Sequence, residues 1–186
     1  MYGVQKILGI VGRIGAGKDT VADYVARKYG YAIVAFRDAV KDVAQKEGLA
    51  LTRENMQHVG KKYRAAHGED FFTNVVAQKA QKAGDKVIIK EMRTDGDVLP
   101  LKKKFGRAMK VMCITADSEN RFARMLARGR TGDPQTREEF AKQEEREDEL
   151  GFTAALKHAT INVDNNGTLG ELYEKIDKLL KATGYD

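Results

Sequence analysis

The sequence predicts an α/β domain on a mostly parallel sheet of five strands. Two observations carry that expectation. Short, almost unbroken apolar runs alternate with stretches of helical periodicity, and a glycine-rich loop joins the first run to the first helix. Strands covered on both faces read as unbroken apolar runs, and strand–helix alternation marks a parallel sheet with helical crossovers. With 186 residues, 42% of them hydrophobic, the chain is long enough for one domain with its own core.

The elements follow in order. KILGIVG (6–12), YAIVAF (31–36), KVIIK (86–90), KVMCIT (110–115) and TINVD (160–164) read as the strands. A helix over 17–29 carries Val21, Ala22 and Val25 on one face, and one over 69–83 carries Phe72, Val75, Val76 and Ala80 before a capping Gly84. In 97–105, Asp97 is the expected cap and Pro100 falls in the first turn, where its missing N–H does no harm. Residues 117–128 turn Phe122, Met125 and Leu126 inward, and Thr168 and Glu171 open the 168–182 helix at capping-box spacing. The stretch 37–84 is helical and longer than one crossover needs, so it reads as a small helical insert. Residues 129–137, GRTGDPQTR, form a polar loop between helices, the best candidate for a lid.

Composition narrows the setting. The net charge of +6 favours anionic partners without separating nucleic acid from nucleotides. Cys113 is the one cysteine, in a run that reads as a buried strand, which speaks against disulfides. The first residues lack the basic start and apolar length of a secretory signal, and no run reaches the ~20 apolar residues of a membrane span. The expected location is cytoplasmic, with no membrane partner. His58, His67 and His158 show no zinc-ligand spacing. The run KQEEREDE (142–149) reads as an exposed helix from which Arg146 reaches the site on lid closure, and KKK (102–104) as a solvated face.

The loop carries the chemistry. Gly12, Gly17 and Lys18 satisfy G-x-x-x-x-G-K between a strand and a helix. In that geometry backbone N–H groups and the helix N-terminus form an anion cradle, glycines let phosphate oxygens approach, and the lysine reaches the outer phosphates. Dinucleotide binding is the competing reading, since Asp38 lies about twenty residues on, where a ribose-binding acid is expected. Against it, the glycines run G-x-x-G-x-G and that site has no use for the lysine. The residue after Lys18 is Asp19, and the hydroxyl usual at that place comes one later, at Thr20.

GKDTVADYV resembles the phage-type deoxynucleoside monophosphate kinases. AFRDAVKDVA, MQHVGKKYRAAHGEDFF and VIIKEMRTDGDVLPLKKKFG resemble further segments of that family. ARGRTGDPQTREEF and NVDNNGTLGEL look like an archaeal-type group related to adenylate kinase and dephospho-CoA kinase. The resemblance spans most of the chain. It implies a three-layer P-loop kinase fold with a helical acceptor-binding insert at about 37–84 and a short lid at about 129–137. It also implies ATP and Mg²⁺ as cofactors and a small nucleotide acceptor as partner. Residues Gly12 to Thr20, with Gly15, Ala16, Gly17, Lys18 and Asp19 among them, would hold the donor triphosphate. Asp38 would position the acceptor or a metal-bound water, and Arg64 and Arg93 would clamp the acceptor phosphate. Two departures stand out. Read as D-x-R, the segment has Glu91 as its acid, whereas on the archaeal-type pattern D-G-x-R Lys90 sits where the carboxylate belongs and Glu91 is left as the metal-ligand candidate; and Phe72 stands where the phage type favours Trp.

Arginines supply the rest. Arg121, Arg124 and Arg128 recur at spacings of three and four along one helix face, Arg130 opens the lid and Arg137 closes it. By resemblance Arg124 stacks on adenine, Arg128 meets the phosphates, Arg130 and Arg137 meet substrate, and the turn at Asn165–Gly167 places Asn166 beside the base. The catalytic set is then Lys18, Asp38, Arg93 and Arg128. Three functions remain open at this point: a nucleoside or deoxynucleoside monophosphate kinase, a dephospho-CoA kinase, and a nucleotide- or nucleic-acid-binding ATPase with little transferase activity. Monomer and homodimer are both open.

Overall fold

The computed structural model describes residues 5–149 and 151–186. Strand β1 (Lys6–Val11) shows why the sheet is buried on both sides. Ile7 and Val11 point to one face, Leu8 and Ile10 to the other, and all four are fully enclosed. Strands β2 (Ala32–Ala35), β3 (Lys86–Lys90), β4 (Met109–Thr115) and β5 (Ile161–Asp164) complete a sheet of order β2-β3-β1-β4-β5, every neighbour parallel. The predicted five strands are therefore the observed ones, with ends moved by one residue in places.

Helices α1 (Lys18–Tyr29) and α9 (Leu169–Thr183) cover the face bearing Leu8, Ile10, Ile88 and Ile114. Helix α1 stops at Gly30, whose left-handed backbone returns its N–H to the Ala26 carbonyl. The Thr168–Glu171 capping box forms as the sequence predicts. Helices α2 (Phe36–Lys46), α3 (Arg53–His67), α4 (Phe71–Ala83) and α5 (Asp95–Phe105) cover the other face. Helix α4 belongs to that covering layer, because Phe72, Val76, Ala77 and Ala80 pack into one core with Val87 and Ile89 of β3. Phe72 is wholly enclosed there, worth about 2–3 kcal/mol of apolar burial. It is a core residue and not the wall of an acceptor pocket.

Three local expectations change. The cap of α5 is Thr94, and Asp97 is the buried third residue that closes the box onto the chain. Pro100 consequently lies in the helix interior. The carbonyl of Gly96 that it leaves without an intrahelical donor takes the Thr73 hydroxyl instead, at 3.2 Å. Leu126, on α6 (Ser118–Arg128), is 41% exposed and not inward. The acidic run continues as α7 (Arg137–Glu149), followed by the short α8 (Phe152–Leu156), and its inner face is not solvated. Among the described residues no helix is long and apolar enough to cross a membrane.

Candidate active site

In open α/β sheets ligands gather beyond the carboxyl ends of the strands, where successive connections leave in opposite directions. Here that place is the end of β1, flanked by β3 and β4. The loop from Gly12 to Gly17 lies there, and its glycines are dictated by packing as well as by φ. At Gly12 (φ 148) a side chain would overlap the Ile114 carbonyl oxygen, and at Gly17 (φ 101) it would overlap the Asn165 amide. Gly15 rests equally closely on the Arg121 backbone. Ala16 is buried, and its carbonyl accepts the Asn165 Nδ2–H at 2.8 Å, which ties the loop to the end of β5. The first N–H groups of α1 have no intrahelical acceptor and face the same concavity.

Lys18 folds back over this cradle, donating to the carbonyls of Gly12 at 2.6 Å and Arg13 at 3.0 Å. Its pKa is lowered to about 8, by burial above all; the charges of Glu147 and Asp19 oppose the shift, and those of Arg93 and Arg128 add to it. Arg93 and Arg128 are thus electrostatic neighbours of Lys18. Thr20 is exposed one residue past Asp19.

One of the departures in the sequence, Lys90, meets the acid that follows the loop lysine. Lys90 Nζ donates to Asp19 Oδ1 at 2.9 Å, with Arg130 Nη1 3.7 Å from the other carboxylate oxygen. Burial works against the Asp19 charge, but Lys90 holds its carboxyl below the usual range. Glu91 sits at φ 67, a conformation that glycine adopts more readily. The Glu91 carboxylate turns to α2, accepting the Arg37 N–H at 2.9 Å.

Helix α7 is held from two sides. Arg121 is buried and binds Glu144 of α7 through both terminal nitrogens, at 2.6 and 2.8 Å. Arg13, in the glycine loop itself, reaches Asp148 at 2.7 Å and Glu144 at 3.5 Å. Arg121 thereby ties α6 to α7, and Arg13 ties α7 to the loop. Glu147, one turn on from Glu144, has a buried Oε2 with no hydrogen-bond partner. Burial raises its pKa, against the charges of Lys18 and Arg93. Arg146, the residue expected to reach inward, is exposed.

The remaining predicted residues divide. Arg124 donates to the Asn165 carbonyl at 2.7 Å and keeps a buried Nη1 without a partner, a donor available to a ligand. Arg128 is gripped at both ends by Asp133 of the lid, at 2.6 and 2.7 Å. Arg137 pairs with Glu119 and lies over the Phe122 ring, so it braces α6 against α7. Asn166 accepts from the Asp117 N–H at 2.8 Å and fastens the β5–α9 turn to α6, whereas Asn165 is the neighbour of the loop. Arg64 lies over the Phe72 ring in the insert, 5.5 Å from its centroid. Asp38 lines an open groove of about 300 Å³ at the outer sheet edge, with Ile33, Lys79 and Lys82. No hydrogen bond joins Asp38 to the loop among the described residues. Sequence reasoning missed Glu144, Glu147 and Asp148, whose only signal is an acidic periodicity on α7, and gave Arg13, inside the loop, no role of its own.

The side chains present do not fit a Mg²⁺ ion shared with a nucleotide. The protein's share would be a hydroxyl after the loop lysine and a carboxylate at the end of β3. The first place holds Asp19, the second Lys90, and the two neutralise each other. Among the described residues no group of three or more His, Cys, Asp or Glu gathers to hold a metal.

The sequence profile of a family described as an AAA domain matches residues 11–142. A UPF0200/UPF0201 protein of Archaeoglobus fulgidus is 32% identical over 179 residues, covering 95% of this chain but 55% of that protein, so the chain spans about half of that relative. A UPF0200 protein of Methanoculleus marisnigri is 30% identical, covering 97% of this chain and 98% of its own. Among solved structures, a shikimate kinase from Acinetobacter baumannii superposes with a TM-score of 0.61 at 16% identity, covering 98% of this chain and 96% of that one. A gluconokinase from Sinorhizobium meliloti gives 0.58 at 16% identity, covering 100% and 98%. These two share the fold, an α/β P-loop kinase-like one. With a family profile over most of its length and a relative matched almost end to end, the chain belongs to the AAA-domain family and to the UPF0200 proteins.

Proposed function

We propose that this chain transfers the terminal phosphoryl group of ATP to a nucleoside or deoxynucleoside monophosphate. The observation that supports it most is the convergence of cations on the glycine loop. Arg93 and Arg128 lie close enough to Lys18 to lower its pKa, a repulsion that a polyphosphate would relieve. In this reading the loop amides and Lys18 hold the donor's outer phosphates, and the free Nη1 of Arg124 meets the purine side. Arg93 orients the acceptor phosphate. Arg128 joins it when a phosphate displaces Asp133 from its guanidinium, which binds phosphate through the same paired donors. An acceptor oxygen then attacks the γ-phosphorus as its bond to ADP breaks. That oxygen is already ionised in a monophosphate, so positioning and charge stabilisation suffice and no base is needed.

A second reading, transfer to an alcohol as in a dephospho-CoA kinase, is favoured by Glu147. An attacking hydroxyl must lose its proton, and an unpartnered buried carboxylate beside Lys18 and Arg93 is able to take it. One experiment separates the two. The protein is incubated with ATP against ribo- and deoxynucleoside monophosphates and dephospho-CoA, and ADP is followed. Turnover with a monophosphate, retained in Glu147→Gln, supports the first reading. Turnover with dephospho-CoA alone, lost in that variant, supports the second. ADP release without any acceptor refutes both and leaves an ATPase, for which a steep loss of nucleic-acid binding with salt is the further check.

A further inference from the structure

We infer that Lys90 serves as the built-in cation of this site, so that a nucleoside triphosphate is bound and its charge balanced without a divalent metal. The inference rests on the nucleotide reading of the loop. Its ground is the place and surroundings of one ammonium. Lys90 is the last residue of β3, paired in register with Ile10 of β1, just before the loop begins. Its Nζ is fixed 2.9 Å from Asp19, the residue that follows Lys18 at the mouth of the cradle. A P-loop site that shares a metal with its phosphates draws a hydroxyl from the position after the lysine and a carboxylate from a strand end, and here those two positions hold an acid and an ammonium bound to each other.

The neighbours leave a metal little to bind. Asp19 is engaged by Lys90 and approached by Arg130. Glu91, the next acid along, is aimed at the start of α2 by its positive φ and held by the Arg37 N–H. The neighbours also leave Lys90 free to act. An ammonium has three donors, and Asp19 is its one hydrogen-bond acceptor among the described residues, so two remain for phosphate oxygens. Burial opposes its charge, but the bond to Asp19 more than compensates and keeps Lys90 protonated. Paired with Asp19 it cancels the carboxylate that would repel the phosphates, so the charge of Lys18 acts on them unopposed, and its two spare donors face them without a divalent ion.

The test is a calorimetric titration of ATP into the whole protein with EDTA and, separately, with Mg²⁺, for the natural chain, Lys90→Met and Asp19→Asn. The natural chain should bind ATP with affinities within about threefold of each other in the two arms. Lys90→Met should lose about 10- to 100-fold in the EDTA arm, the range for one charge-assisted contact. It should regain affinity with Mg²⁺, because Asp19 is then unpaired. Asp19→Asn should retain metal-free binding, which keeps the test decisive if Lys90→Met unfolds. Binding of the natural chain that needs Mg²⁺, with the increment lost in Asp19→Asn, overturns the inference and makes Asp19 the metal ligand. No binding of ATP in either arm overturns the nucleotide reading of the loop and the inference with it.

Discussion

Raising the pH from 7 to 9 should weaken triphosphate binding about tenfold through one group, Lys18. In the free protein burial brings its pKa down to about 8, with Glu147 and Asp19 opposing the shift and Arg93 and Arg128 adding to it. A polyanion against the ammonium raises that value again. The complex therefore holds the proton more tightly than the free protein, binding takes up a proton, and affinity falls as pH climbs through 8. At pH 7 about nine-tenths of the free protein carries the charge, and at pH 9 about one-tenth; the apparent dissociation constant scales inversely with that fraction. Cys113, the other group in the field of Lys18 that ordinarily titrates nearby, is pushed up by burial and stays a thiol. The assay is calorimetry of ATP at pH 7, 8 and 9 in two buffers of different ionisation heat, whose difference reports an uptake of about half a proton at pH 8. In Lys18→Arg the guanidinium stays charged throughout, so the profile should be flat even where affinity is lower. A flat profile in the natural chain, or an equally steep one in Lys18→Arg, would refute the assignment of the perturbed group.

Other perturbations test the frame around it. Gly17→Ala forces a left-handed alanine, which costs about 1–2 kcal/mol, and pushes away the Asn165 amide that holds Ala16. The thermal stabilisation that ATP confers should vanish in a scanning measurement while the free protein still unfolds cooperatively. Arg121→Met leaves Glu144 half buried with only the longer Arg13 contact. It should cost about 3 kcal/mol and lower the melting temperature by roughly 6–12 °C; an unchanged melting temperature would count against the anchoring role of α7.

The parts legible in the sequence are those fixed by near neighbours. An unbroken apolar run such as KVIIK needs both faces covered wherever it lies, so β3 was placed to the residue. Thr168 and Glu171 cap α9 through atoms three residues apart. The loop was legible because three glycines and a lysine satisfy one local geometry. The roles of single arginines were not, because each depends on a distant acid. Arg121 and Arg124 sit on adjacent turns of α6, but one meets Glu144 across the lid and the other the Asn165 carbonyl. The same holds for α7. Phe140 is its one buried apolar anchor among the described residues, and the positions that follow on the inner side are the acids Glu144 and Glu147, so no apolar period announces that side and Glu147 comes into view only with the fold.

Asp19 and Lys90 make the same point at the centre of the site. Read singly, each is a defect: an acid at the mouth of an anion cradle, and a base where an acid belongs. Across 71 residues they form one ion pair, and each cancels the other's fault. Lys90→Asp, which restores the expected carboxylate, should for that reason impair the site. It would set two carboxylates at ion-pair range beside the phosphates, where like charges repel and one is driven to keep its proton. ATP binding in the presence of Mg²⁺ should fall about tenfold or more in Lys90→Asp. The paired change Asp19→Ser with Lys90→Asp should recover it and acquire a dependence on Mg²⁺. A double-mutant cycle measures the coupling directly, since contacting residues depart from additivity while independent ones do not. Additive effects, or a Lys90→Asp protein that binds better than the natural one, would show that the two residues act independently and that Lys90 only obstructs the site.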